Sequence, residues 1–225
     1  NYDFVLNKIS KDNNQSIKIS LESDNFISSL AINYYENKLS LVGFYSNERE
    51  GNIKGGCNFM IKAISLSISA KKNSELPKDV YHDLYGDAKV ERQDKKKKEL
   101  NSFYVDYVVR DNTGNTFVLA EEFYVTQTYV ATGMNGAGYW TTTYHYDDIL
   151  ILKFDKSGEI SWGRSIFKRS TVPSYNAFLK DDKLHVILNS GKNLTEKSDG
   201  STKVSKGWFE SSALYDFTYS PDGKV

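Results

Sequence analysis

The chain has 225 residues, enough for one large domain with a sizeable core, and its 29 basic residues are matched by 29 acidic ones. That balance leaves no global field to draw nucleic acid or an anionic membrane surface. The lone cysteine, Cys57, rules out an intrachain disulfide and a Cys-based metal site, and no apolar run approaches the roughly 18 residues of a spanning helix.

Sixteen Tyr and twelve Phe against two Met suit half-buried pleated strands, since an aromatic ring fills the surface between strands while a phenol reaches water. The first such run is Asp3 to Ile9, which meets a turn at Lys11-Asp-Asn-Asn14. A strand pair follows, Phe26 to Ile32 with Lys38 to Tyr45, around the turn Tyr35-Glu-Asn37, and then an apolar run from Asn58 to Ile64. Cys57, after Gly55-Gly56, reads as a small buried hydrophobe rather than a reactive thiol. The segment 76–100 is an insertion. Val80, Tyr81, Leu84 and Tyr85 in it have the i, i+4 spacing of a short helix, and its run Asp94-Lys-Lys-Lys-Lys-Glu99 reads as a solvated stretch.

Phe103 to Val109 and Asn115 to Tyr124 form the next pair, around Arg110-Asp-Asn-Thr-Gly114. A second insertion, 126–146, joins two strands and carries Tyr129, Tyr139, Trp140, Tyr144 and Tyr146 around Gly133-Met-Asn-Gly-Ala-Gly138. Rigid aromatic bodies with polar tips suit binding of protein or sugar. The alternative is an extended hairpin turning at Asn135-Gly136, in which Tyr and Thr only satisfy strand propensity. The fullest repeat comes next, Asp148-Ile-Leu-Ile-Leu-Lys-Phe-Asp-Lys-Ser-Gly-Glu-Ile-Ser-Trp162. After it come the pair Asn176 to Leu179 and Lys183 to Asn189, then Ala213 to Tyr219 before Pro221-Asp-Gly223.

The runs starting at Asp3, Asn58, Asp148 and Ala213 are equivalent, and three of them have a strand pair upstream. The unit is therefore four antiparallel strands, recurring at intervals longer than the roughly 40 to 50 residues of compact blades because of the insertions. A four-stranded sheet cannot cover both its faces alone, so sheets of this size stack around an axis. The expected fold is all-β: a β-propeller domain over 1–225, with about two full and two incomplete blades, cut from a longer chain. The rival, a β-sandwich, gives no reason for the same turn chemistry to return.

Leu39-Ser-Leu-Val-Gly-Phe-Tyr-Ser46, Lys54-Gly-Gly-Cys-Asn-Phe59, Gly114-Asn-Thr-Phe-Val-Leu-Ala-Glu-Glu122 and Tyr146 to Trp162 together resemble uncharacterised propeller-like proteins of Gram-negative cell envelopes. The spacing Asp155, Gly158, Trp162 also resembles the tryptophan-docking repeat of quinoprotein-type propellers, in which Asp and Trp tie neighbouring blades; the other three copies here lack the Trp. These resemblances imply a fold and an exported location in the periplasm, outer membrane or cell surface, with no inherited active site.

The chemistry-bearing residues add little. Glu121 and Glu122 are adjacent in a predicted strand and so point to opposite faces, as do Asp147 and Asp148, and neither pair makes an acid/base couple. His145 with Asp147 supplies two metal ligands and no third, and no nucleophile-elbow, zinc or phosphate-loop signature occurs. No cofactor is expected. The reading is a non-enzymatic protein-interaction scaffold of the cell envelope, in its most specific form a subunit or plug of an outer-membrane channel such as a type IX secretion translocon. Its site is the aromatic set Tyr129, Tyr139, Trp140, Tyr144 and Tyr146, and its partner a protein. The alternatives are a glycan-binding lectin-like propeller and a hydrolase whose catalytic residues lie outside this segment.

Overall fold

The computed structural model describes residues 4–21, 25–35, 37–48, 51–86, 99–132, 137–191, 195–196, 202–205 and 212–225. Strands β1 (Phe4–Ile9) and β2 (Asn14–Ile19) form an antiparallel pair. Strands β3 (Phe26–Tyr35), β4 (Lys38–Ser46), β6 (Gly55–Lys62) and β7 (Ser67–Glu75) form a four-stranded meander, and β5 (Asn52–Ile53) pairs separately with β8 (Leu100–Asn101). A second meander runs through β9 (Phe103–Arg110), β10 (Thr116–Ala131), β11 (Gly138–Phe154) and β12 (Ile160–Arg169). Strands β15 (Thr195–Glu196) and β16 (Thr202–Ser205) extend it, β16 running parallel to β12. The last sheet has three strands, β13 (Tyr175–Lys180), β14 (Lys183–Gly191) and β17 (Ser212–Tyr219). The protein is all-β with one helix, and among the described residues the sheets do not close into a barrel or ring.

Period-two alternation decides how these sheets stack. On β4, Leu41 and Tyr45 face the β1–β2 pair with Cys57, Phe59 and Ile61, while Val42 and Phe44 face the other way. There they meet Val118, Ala120, Leu150, Leu152 and Phe154 of the larger sheet. The opposite face of that sheet, with Phe117, Leu119, Ile149 and Ile151, packs on Leu184, Val186, Leu188, Phe217 and Tyr219. The two middle sheets are thus covered on both faces, which explains runs such as Ile149-Leu-Ile-Leu152 in which every residue is fully buried. Cys57 is a core residue, and burial pushes its thiol pKa far up.

The first strand β9 lies against both β3 and β13, the first strands of the sheets on either side. Further out, helix α1 (Lys78–Tyr85) packs on β12, with Val80 and Leu84 in the core between the two middle sheets. The helix is the one expected in 76–100, and Asp83 clamps it: Arg164 donates to both its carboxylate oxygens at 2.7 and 2.9 Å, and the Ser165 amide donates at 2.9 Å. Gly56 lets the sheets approach here, since a Cβ on it would sit 2.6 Å from Phe154 Cζ and 3.0 Å from Ile160 Cδ1. Gly56→Ala is expected to cost about 1–3 kcal/mol by overpacking a buried ring, read as a lower urea midpoint, with Phe154→Leu restoring part of it.

The expected glycine turns share one scheme, a side-chain oxygen that accepts from backbone amides of its own turn. Asp111 Oδ1 accepts from the Thr113 and Asn115 amides, and Asp155 Oδ1 from the Ser157 and Glu159 amides, with Gly114 and Gly158 at positive φ. The third turn uses Ser220 Oγ in place of the carboxylate, accepting from Lys224 N at 3.1 Å, with Gly223 at positive φ. The turn after β6 departs from this pattern. It is Ala63-Ile-Ser-Leu66, with Ile64 90% exposed rather than ending an apolar strand. Two of these three glycine turns rest on the preceding sheet, Gly158 on the Asn58 side chain and Gly223 on the Trp162 indole. Trp162 Nε1 donates to Pro221 O at 3.0 Å, so this Trp does join two neighbouring sheets.

Candidate functional site

Strands β10 and β11 are nearly twice as long as their neighbours. β9 pairs with β10 only as far as Glu122, and β12 pairs with β11 only from Ile149 onward, so residues 123–131 and 138–146 run on as a two-stranded ribbon. At about 3.3 Å per residue the ribbon is about 30 Å long. It is the extended hairpin, with Ala131 facing Gly138 and the Thr132 amide donating to Ala137 O at 2.8 Å. The expected turn at Asn135-Gly136 lies outside the described residues.

Register divides the five predicted site residues. Tyr129 faces Trp140, Val125 faces Tyr144 and Phe123 faces Tyr146, so these six share one side of the ribbon. Tyr139 pairs with Val130 on the other side, and the structure therefore does not bring Tyr139 together with Trp140. Tyr129 and Trp140 touch with ring centroids 5.4 Å apart, and Phe123 bridges Tyr144 at 6.5 Å and Tyr146 at 5.0 Å. Tyr146 is half-buried at the root, whereas Trp140 is 65% and Tyr144 52% exposed. Phe123 and Val125 belong to the stripe and were missed by a reading that searched only the insertion. The opposite side carries Thr126, Thr128, Thr141 and Thr143, with Tyr124 stacked on His145 at 4.4 Å.

A buried polar group holds the ribbon where it leaves the sheet. A bulge between Glu121 and Phe123 alters the pairing, and around it lie Glu121, Glu122, Asp147 and Asp148 with Lys168 and Arg169 of β12. Lys168, 1% exposed, donates to Glu121 Oε1 and to Ser174 Oγ. Arg169 Nη1 lies 2.9 Å from Asp147 and 3.5 Å from both Asp148 and Glu122. Glu121 and Glu122 do take different cations, as strand alternation predicts. Asp147 and Asp148 do not separate in this way, because the irregular pairing lets both reach one guanidinium. Burial raises the carboxyl pKa of Glu121 and Glu122, and with help from the neighbouring Glu122 and Asp147 charges it lifts Asp148 to about 7. The Tyr124 hydroxyl donates to Asp147 at 2.8 Å, and burial together with that acceptor pushes its pKa up to about 12.

His145 is engaged by Thr126 Oγ1 at 2.9 Å, and among the described residues no three His, Cys, Asp or Glu side chains are grouped to hold a metal ion. Among them, too, no helix is long and apolar enough to cross a membrane. The lysine run at 95–98 lies outside the described residues. Comparison with family models, curated proteins and solved structures finds no match to this chain.

Proposed function

We propose that this chain is part of a β-propeller that serves as a non-enzymatic protein-interaction scaffold of the bacterial cell envelope, with the β10–β11 ribbon as its docking arm. The propeller reading is supported by four sheets packed face to face in chain order, by first strands that converge, and by a helix between the two middle sheets further out. The envelope location, and a place as subunit or plug of an outer-membrane channel complex, rest on the sequence resemblance.

One observation carries the arm. A two-stranded ribbon on its own is marginally stable, yet this one leaves Trp140, Tyr144, Tyr129 and Val125 exposed along one side, with threonines and the single aromatic residue Tyr139 exposed on the other. Such a stripe contributes little to the fold and has the composition of an interface hot spot. Its buried ionic root keeps the arm stiff, which lowers the ordering cost of binding.

Affinity capture from native membranes with the full-length protein tests this. Trp140→Ser combined with Tyr144→Ser is expected to lose a stoichiometric protein partner, on the order of 2 kcal/mol or more per side chain, without lowering Tm. Tyr139→Ser, on the threonine side, is expected to retain the partner. Capture unaffected by the double substitution would overturn the assignment.

A further inference from the structure

Opposite to the arm, turns of the second and third sheets surround a second feature. Strand direction places the β3–β4, β6–β7, β9–β10 and β11–β12 turns at one end of the stack and the β10–β11 ribbon at the other. Between those turns opens a cleft of about 1020 Å3, the size that takes one or two sugar rings.

Its walls carry Lys8, Lys38, Lys62, Lys156 and Arg110 against one carboxylate, Asp155, with the Lys8 ammonium already donating to Ala63 O at 3.0 Å and Ile64 O at 3.1 Å. Asp155 is already committed, since Oδ1 accepts from two backbone amides and the Ser157 hydroxyl within its own turn. Arg110 stacks over Tyr35 at 4.8 Å, and its Nε is buried without a hydrogen-bond partner. Asn58, only 6% exposed, lines the same cleft with Oδ1 likewise buried and unpartnered. Both atoms are closed to solvent, so neither can bond a ligand seated in the cleft.

The walls of the cleft specify a ligand. The cations call for an anionic group. Ser40, Ser65, Ser69 and Thr116 on the same walls offer hydroxyls to pair with hydroxyls of that ligand. Tyr34, Leu39 and Met60 add a surface for an apolar ring face. We propose that this cleft binds a small hydroxylated organic anion of the acidic-sugar class. The chain then has two working ends, an arm that docks protein and a cleft that takes a solute. This does not depend on the propeller or on the arm.

Isothermal titration of the full chain with glucuronate, glucose 6-phosphate, glucose and inorganic phosphate tests the proposal. Saturable binding of either acidic sugar, weakened by added salt, is the expected result, and which of the two binds tells carboxylate from phosphate. Arg110→Gln is expected to weaken binding about 10-fold or more, the effect of one charge-assisted hydrogen bond. Lys38→Gln and Lys156→Gln, at the surface where folding is not at risk, should each weaken it less, and Lys72→Gln outside the cleft should leave it unchanged. No acidic-sugar binding at millimolar concentration, equal binding of glucose, equal binding of bare phosphate, or affinity indifferent to Arg110, Lys38 and Lys156 would each overturn it.

Discussion

Lys168→Met is expected to lower the unfolding free energy by about 3–5 kcal/mol, one of the largest effects of a single substitution in this chain. The methionine keeps the apolar stem but removes the ammonium that pairs Glu121, leaving a carboxylate 6% exposed with its strongest partner gone. Ser174 Oγ loses the same donor. The cost comes from the stranded charge rather than from the worth of the pair. Glu121→Leu in the same chain is therefore expected to recover most of the loss, since an apolar pair of similar volume is often as stable as a buried ion pair. Urea titrations of the single and double variants read this directly. A single variant within 1 kcal/mol of the parent would mean that Glu121 is neutral or reaches water, and the rigid root of the arm would lose its main support.

Stability should also fall as pH rises from about 4 to about 7, with Asp148 as the leading cause. Its carboxyl titrates near 3.8 when unfolded and about 7 when folded, because burial and the facing Glu122 and Asp147 outweigh Arg169 and the Lys168 amide. Between those values the native state holds the proton that the unfolded chain has released. Its contribution is therefore fully present below the lower value and disappears as pH passes the upper one. Glu121, Glu122 and Asp83, also raised by burial, act in the same direction. Asp148→Asn keeps an oxygen for the Lys168 amide and removes the titration. The variant should match the parent near pH 4 and exceed it at pH 8 by on the order of a few kcal/mol. Thermal melts across that range check it, and a parent whose Tm instead rises with pH would show Asp148 held ionised by Arg169.

Much of the local structure was legible because it is written in short-range chemistry. Asp111 to Gly114 and Asp155 to Gly158 announce turns in which a carboxylate caps amides two and four residues on, whatever the rest of the chain does. The helix at Lys78–Tyr85 was legible from the spacing of Val80 and Leu84. The grouping of the aromatic residues was legible but misread. The alternation that separates Glu121 from Glu122 also separates Tyr139 from Trp140, and it joins Trp140 to Tyr144 and Tyr146. Applying it through the whole of β10 would have added Phe123 and Val125.

By itself, then, the sequence determined an all-β chain, its strand pairs, its glycine turns and an aromatic-rich insertion, because turn chemistry and two-residue periodicity act over a few residues. Only the tertiary structure decided which faces meet, how a bulge gathers Glu122, Asp147 and Asp148 on one arginine, and how Asn58 and Arg110 come to line one cleft. The Asn58 and Arg110 groups lie on separate sheets, and the bulge is set by cross-strand register. Burial and charge proximity are properties of packed surfaces, which no local pattern encodes.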